Sequence, residues 1–186
     1  MANRVAIFID GAYLDYVLKE EFKSARIDYR ALSEQLAGDS DILRTYYYHC
    51  LPHQGNPPTR QESDRYSTQR RFFNTLDRLP RYTVRLGRLA FRGVDENGRP
   101  RYEQKRVDIL LGVDMVQLAA KQVIQDAVLV AGDSDFIPAI TAAKSEGVVI
   151  RLFHGQRPHS DLWQEADERT QFTQGFVDAV SMSLTS

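Results

Sequence analysis

Cysteine is nearly missing from this chain: Cys50 is the only one. No internal disulfide and no cysteine-built zinc site can form. Long apolar runs are missing too. No stretch approaches the roughly 20 apolar residues that cross a bilayer, so no membrane partner is expected. The opening run, Val5-Ala6-Ile7-Phe8-Ile9, is short and ends in Asp10 rather than at a small-residue cleavage site. It reads as a strand and not as a secretion signal. A cytoplasmic location is the expectation. Also missing are a Walker-type phosphate loop, a Gly-x-Gly-x-x-Gly fingerprint and a Gly-x-Ser-x-Gly elbow, which removes the common nucleotide-binding loops and serine-hydrolase chemistry. The four histidines, His49, His53, His154 and His159, show no metal-ligand spacing on a helix and read as loop or surface residues. His53, just past a strand, is the one placed to lean over a site.

What is present is an ordinary folded composition. Hydrophobic residues make up 42% and charged residues 26% of 186 positions, which suits one domain over residues 1–186. The net charge of −1 conceals a division. From Arg60 to Arg106 there are 13 Lys/Arg against 6 Asp/Glu, so this segment carries +7 and the rest −8. An acidic body with a basic segment suits a polyanion bound beside an acid-lined site; a solvated Arg-rich face is the plainer alternative.

The apolar pattern alternates strand and helix. Arg4–Ile9, Ala127–Ala131 and Val148–Phe153 are continuous apolar runs, as fully buried strands are. Asp41–Leu51, with Tyr46, Tyr47 and Tyr48, and Tyr82–Phe91 read as further strands. Helical spacing covers Ala12–Phe22, Tyr29–Leu36, Gln61–Leu79, Val107–Ile124 and Ser134–Glu146, with shorter helices expected around Asp161–Asp167 and Phe172–Val180. Val107–Ile124 is apolar nearly all round, which predicts a buried helix. Pro52–Pro58 is a loop, and Asp95-Glu96-Asn97-Gly98 marks a hairpin tip returning through Tyr102. The alternation predicts an α/β fold: a central, mainly parallel sheet flanked by helices on both faces.

In such sheets ligands sit outside the carboxyl ends of the strands. Two buried strands end in acid: Ile7-Phe8-Ile9-Asp10-Gly11 and Val128-Leu129-Val130-Ala131-Gly132-Asp133-Ser134-Asp135. Parallel pairing brings Asp10, Asp133 and Asp135 to one edge. Carboxylates about 4 Å apart repel by roughly 4 kcal/mol at an effective dielectric of 20, and a divalent cation turns that cost into affinity. Hard oxygen donors select Mg²⁺ or Mn²⁺. Helix capping by Asp133 or Ser134 is the plainer reading of the second cluster, but it leaves Asp10 unexplained. Asp108, in Lys105-Arg106-Val107-Asp108, stands at a helix start, where an anion is favoured. Asp114 lies about 120° from Asp108 around a regular helix, so it is a secondary acid: an outer ligand, or a buried partner for a basic residue. A phosphatase of the haloacid-dehalogenase type would need a second Asp two positions after Asp10; that position is Ala12.

Three segments, Phe8-Ile9-Asp10-Gly11-Ala12-Tyr13-Leu14, Lys105-Arg106-Val107-Asp108-Ile109-Leu110-Leu111-Gly112-Val113-Asp114 and Gly132-Asp133-Ser134-Asp135-Phe136-Ile137-Pro138, together resemble an NYN domain of the PIN-like nuclease superfamily, specifically its LabA-like branch. A weaker fourth is Ser160-Asp161-Leu162 followed by Glu165-Ala166-Asp167. The resemblance implies a Rossmann-like PIN-type fold. It also implies a metal-dependent ribonuclease, a hydrolase, with Asp10, Asp108, Asp133 and Asp135 as catalytic and metal-binding residues and Mg²⁺ or Mn²⁺ as cofactor. Many members carry Asn where this chain has the bulkier Tyr13. Expected substrate contacts are Tyr13, Lys105, Arg106 and Ser134 near the phosphate and Arg60, Arg65, Arg70 and Arg71 along the backbone. Any exposed member of Tyr46–Tyr48 is a base-stacking candidate. The partner is nucleic acid, RNA on this reading; an RNA-binding or regulatory module with little cleavage is the alternative. The aromatic tail around Trp163, Phe172 and Phe176 covers either a homodimer partner or its own core.

Overall fold

The computed structural model describes residues 3–98 and 100–182. In chain order its elements are β1 (Arg4–Asp10), α1 (Gly11–Glu21), α2 (Tyr29–Ala37), β2 (Asp41–His49), α3 (Arg60–Asp77), β3 (Tyr82–Leu86), β4 (Arg88–Val94), β5 (Pro100–Lys105), α4 (Val107–Ala120), β6 (Asp126–Val130), α5 (Ile137–Ser145), β7 (Val149–His154), α6 (Ser160–Glu165), β8 (Glu168–Gln171) and α7 (Gln174–Ala179). A six-stranded sheet runs in the order β3-β2-β1-β6-β7-β8, and every neighbouring pair is parallel. The expected architecture is therefore present.

The apolar runs become the middle of that sheet because both faces are covered. Val5, Ile7, Ile9, Tyr47, Val128 and Val130 pack under α1, α2, α3 and α7. Their neighbours Ala6, Phe8, Tyr48, Ala127 and Leu129 pack under α4, α5 and α6. The period of two along each strand sends successive residues into opposite layers, so both must be apolar. Val5 through Ile9 are 0% exposed, and each large side chain so buried contributes about 2 kcal/mol. Side chains also set the helix starts. Asp28 accepts from the Arg30 and Ala31 amides at α2, and Thr59 and Glu62 cap α3 reciprocally.

Several elements differ from the sequence reading. The strand expected over Tyr82–Phe91 is broken at Gly87, where an added Cβ would lie 2.5 Å from the Lys105 carbonyl oxygen. The chain there leaves the main sheet, and β4 pairs only with β5, antiparallel, as a separate hairpin. The Val107–Ile124 helix ends at Ala120, and it is not buried all round: Ile109 is 69% and Val113 48% exposed. Ser134–Phe136 is a short 3₁₀ turn that precedes α5. β8 follows α6 unannounced, because all four of its residues are exposed on an edge strand and carry no apolar pattern. Tyr46, Tyr47 and Tyr48 are all buried, so none can stack on a base. Phe172 is buried and Phe176 packs against the same cluster, so that part of the tail covers the chain's own core; Trp163 stays exposed, under the Arg169 guanidinium. Among the described residues no helix is long and apolar enough to cross a membrane.

Candidate metal centre

Strand order fixes where the crevice lies. From β1 the chain moves outward through β2 and β3 on one side, then returns across to β6 and moves outward through β7 and β8 on the other. The order reverses between β1 and β6, and the helices leaving their carboxyl ends diverge there. Ile9 pairs with Val130, so the two strands end level. Asp10 and the Gly132-Asp133-Ser134-Asp135 turn both follow strands that end at that edge.

Each acid is held by its own element. Asp10 Oδ1 caps α1, accepting from the amides of Ala12 at 3.1 Å and Tyr13 at 3.2 Å. Asp133 Oδ1 accepts from the Asp135 amide at 3.1 Å. Asp133 is thus a cap, and so is Asp10, which the sequence pattern leaves unexplained; each uses a single oxygen, and no hydrogen bond reaches either Oδ2 among the described residues. Asp108 lies in the first turn of α4, exposed, with no side-chain hydrogen bond among the described residues.

The charges feel one another. Burial pushes the Asp10 carboxyl up to about 6 from 3.8; the Tyr13 amide pulls it back, and the Asp108 carboxylate pushes it up again. Asp108 is raised by desolvation and then by the charges of Asp133 and Asp135, with Lys105 opposing. Acids from β1, α4 and the turn after β6 therefore share one field, which costs free energy unless a cation enters. Among the described residues no three carboxylates are gathered into a ready-made shell. The donors still fit Mg²⁺ or Mn²⁺, since Mg²⁺ is commonly held by one or two carboxylates together with water and phosphate oxygens.

Asp114 does not join this group. Its Oδ2 accepts from the Tyr48 hydroxyl at 2.9 Å and from Arg85 Nε at 3.1 Å. Of the two roles open to it, the geometry is that of a buried partner for a basic residue, and it ties α4 to β2 and β3.

The expected substrate contacts divide similarly. Lys105 is paired with Glu103 but still acts electrostatically on Asp108. Arg106 is exposed at the start of α4, with a left-handed backbone (φ 75°). Ser134 is half-buried in the 3₁₀ turn. Arg60, Arg65, Arg70 and Arg71 are all exposed on α3, but their spacing places only Arg60 and Arg71 on one side, about 20° apart. They do not form a single grip. Tyr13 is a clamp between loops. Its hydroxyl accepts from the Gly155 amide at 2.9 Å, and its ring fills the space where a Cβ on Gly132 would stand. Tyr13→Phe should lower stability by about 1 kcal/mol by orphaning that amide, while divalent-cation uptake stays unchanged; denaturant melts with and without Mn²⁺ check this.

His53, the histidine that could lean over the site, stacks on Tyr102 of the hairpin. The histidine beside the acids is His49, at the end of β2. Burial would lower its imidazole, but the hydrogen bond and charge of Asp15, aided by the Cys50 carbonyl and Asp10, raise it overall. Applying the strand-end rule to β2 as well as to β1 and β6 would have found it. Cys50 is buried; that burial, with Asp10 and Asp108 adding to it, pushes its thiol up to about 11, so it is an inert packing residue.

Comparison with known proteins agrees with this fold. No curated protein matches the chain. A protein of unknown function from Vibrio parahaemolyticus has a similar solved structure, with 17% identity, 97% of each chain covered and a TM-score of 0.66. That likeness concerns the fold. The model of the NYN domain matches residues 4–173. With its parallel sheet and its acids at the β1/β6 switch point, this chain belongs to the NYN domain family of the PIN-like nuclease superfamily.

Proposed function

We propose that this chain is a single NYN domain of LabA-like type, a cytoplasmic ribonuclease that hydrolyses phosphodiesters in RNA with Mg²⁺ or Mn²⁺. The supporting observation is the shared field of Asp10, Asp108, Asp133 and Asp135 at the switch point, with Asp10 pushed up to about 6 by burial. Carboxylates of this group, together with water and phosphate oxygens, would hold the cation. Bound there, it would polarise the scissile phosphate and make water a better nucleophile.

The chain's own residues supply the rest. The two amides capping Asp10 fix one of its oxygens, and the other has no hydrogen bond among the described residues. The His49 charge beside Asp10 offsets part of the negative field that would otherwise repel a phosphodiester. Lys105 and Arg106, entering α4 next to Asp108, bring positive charge to the phosphate side. Ser134 contributes a hydroxyl donor from the opposite wall.

Single-stranded RNA incubated with Mn²⁺ tests this. The wild type should cut, EDTA should stop it, and Asp133→Asn should lower the rate by about 100-fold or more. A second reading, a binding or regulatory module, draws on the open arrangement of the acids. Equal inertness of wild type and Asp133→Asn, with RNA still bound, would select it.

A further inference from the structure

The β4–β5 hairpin belongs to no part of the sheet. It stands as its own two-stranded ribbon, and β5 ends at Lys105, three residues before Asp108. Phe91 and Tyr102 are directly paired across it, ring centroids 5.9 Å apart, and they remain 59% and 38% exposed. Aromatic side chains left this open on a ribbon invite a partner, since burying them is worth more than most other contacts. His53 extends the row, stacked on Tyr102 at 4.7 Å with an interplanar angle of 26°. Beside these rings lies a cavity of about 500 Å³ whose walls include Glu62, Arg65, Leu89 and Pro100. The Glu62 carboxylate is held in the α3 capping box, and Arg65 brings a guanidinium to the same wall. The other face of the ribbon carries Arg88, Arg92, Arg101 and Lys105 against one acid, Glu103, which pairs with Arg92 and Lys105. Arg88 and Arg101 make no ion pair among the described residues.

Resting on the nuclease reading, we infer that this hairpin, with His53, is a base-stacking platform that delivers single-stranded RNA to the carboxylates. Exposed rings beside the Arg65 guanidinium match unstacked bases followed by a phosphate. Bases in a duplex are stacked on each other and cannot lie on these rings, so the platform selects single strands.

The test is binding of a labelled RNA of about 12 nucleotides in EDTA, read by fluorescence anisotropy. Phe91→Ala/Tyr102→Ala should bind single strands about 10-fold or more weakly, Tyr102→Phe should bind as wild type, and duplex RNA should bind weakly to all. Wild-type affinity in the double variant, or equal loss for single strands and duplex, overturns the platform. Tyr102→Trp gives a readout that does not depend on the double variant folding: its added indole emission should be quenched by single strands, and unquenched emission overturns the proposal. The two readings fail separately. A protein that binds through these rings but never cuts removes the nuclease; one that cuts while the double variant binds normally removes the platform.

Discussion

Asp10→Asn is expected to abolish cation-dependent cleavage, by about 100- to 1,000-fold, and at the same time to stabilise the cation-free protein. The two effects share one cause. Asn keeps the cap on α1, because its side-chain oxygen still accepts from the Ala12 and Tyr13 amides. What it removes is a charge that the fold disfavours. The wild-type carboxyl holds its proton up to about pH 6 instead of 3.8. Its contribution to stability is therefore complete below pH 3.8 and is lost as pH rises through about 6. The loss amounts to about 3 kcal/mol by linkage, or about 2 after allowing for partial exposure. Above pH 7 without cation, Asp10→Asn should melt higher by about 4–8 °C; below pH 4 the two should melt together. Added Mn²⁺ should reverse the order, since only the ionised carboxylate gains from the ion. Thermal melts at two pH values, with and without Mn²⁺, check all three statements.

Gly11→Ala should be strongly destabilising, lowering stability by about 3 kcal/mol. A methyl group there would lie 2.5 Å from Tyr47 Cζ and 2.6 Å from its hydroxyl. Tyr47 is 0% exposed and is walled in by Tyr29, Phe72 and Phe73, so it cannot yield. Moving α1 outward instead would displace Asp10, the residue just before it. Gly175→Ala is the matched control. It lies in α7 with no foreign atom nearer than 4.0 Å, so it should be neutral or slightly stabilising. Urea unfolding of both variants measures the difference, and equal midpoints would show that the Tyr47 contact is not tight.

These cases mark what local pattern can and cannot reveal. The buried strands β1, β6 and β7 were legible because burial on two faces demands an unbroken apolar run, and the acids that end two of them were legible for the same reason. Asp114 was ambiguous in the sequence, since helix geometry excluded it from the centre but could not name Arg85 and Tyr48 as its partners. His49 escaped notice because its importance comes from β2 lying beside β1, a pairing between residues some 40 positions apart in the chain. β8 escaped because an exposed edge strand has no apolar face to declare it. The break at Gly87 and the clamp made by Tyr13 both depend on close approach to distant backbone, at Lys105 and at Gly155, which composition does not encode. The ring contacts of His53, Tyr102 and Phe91 likewise join a loop to a hairpin that the sequence keeps apart.

Calorimetric titration of Mn²⁺ into the metal-free protein at neutral pH, beside the same titration into Asp10→Asn, tests the central claim most directly. The shared field of the four carboxylates predicts saturable uptake by the wild type and its loss in the variant. Titrations without binding heat for either protein, or the same affinity for both, would contradict it.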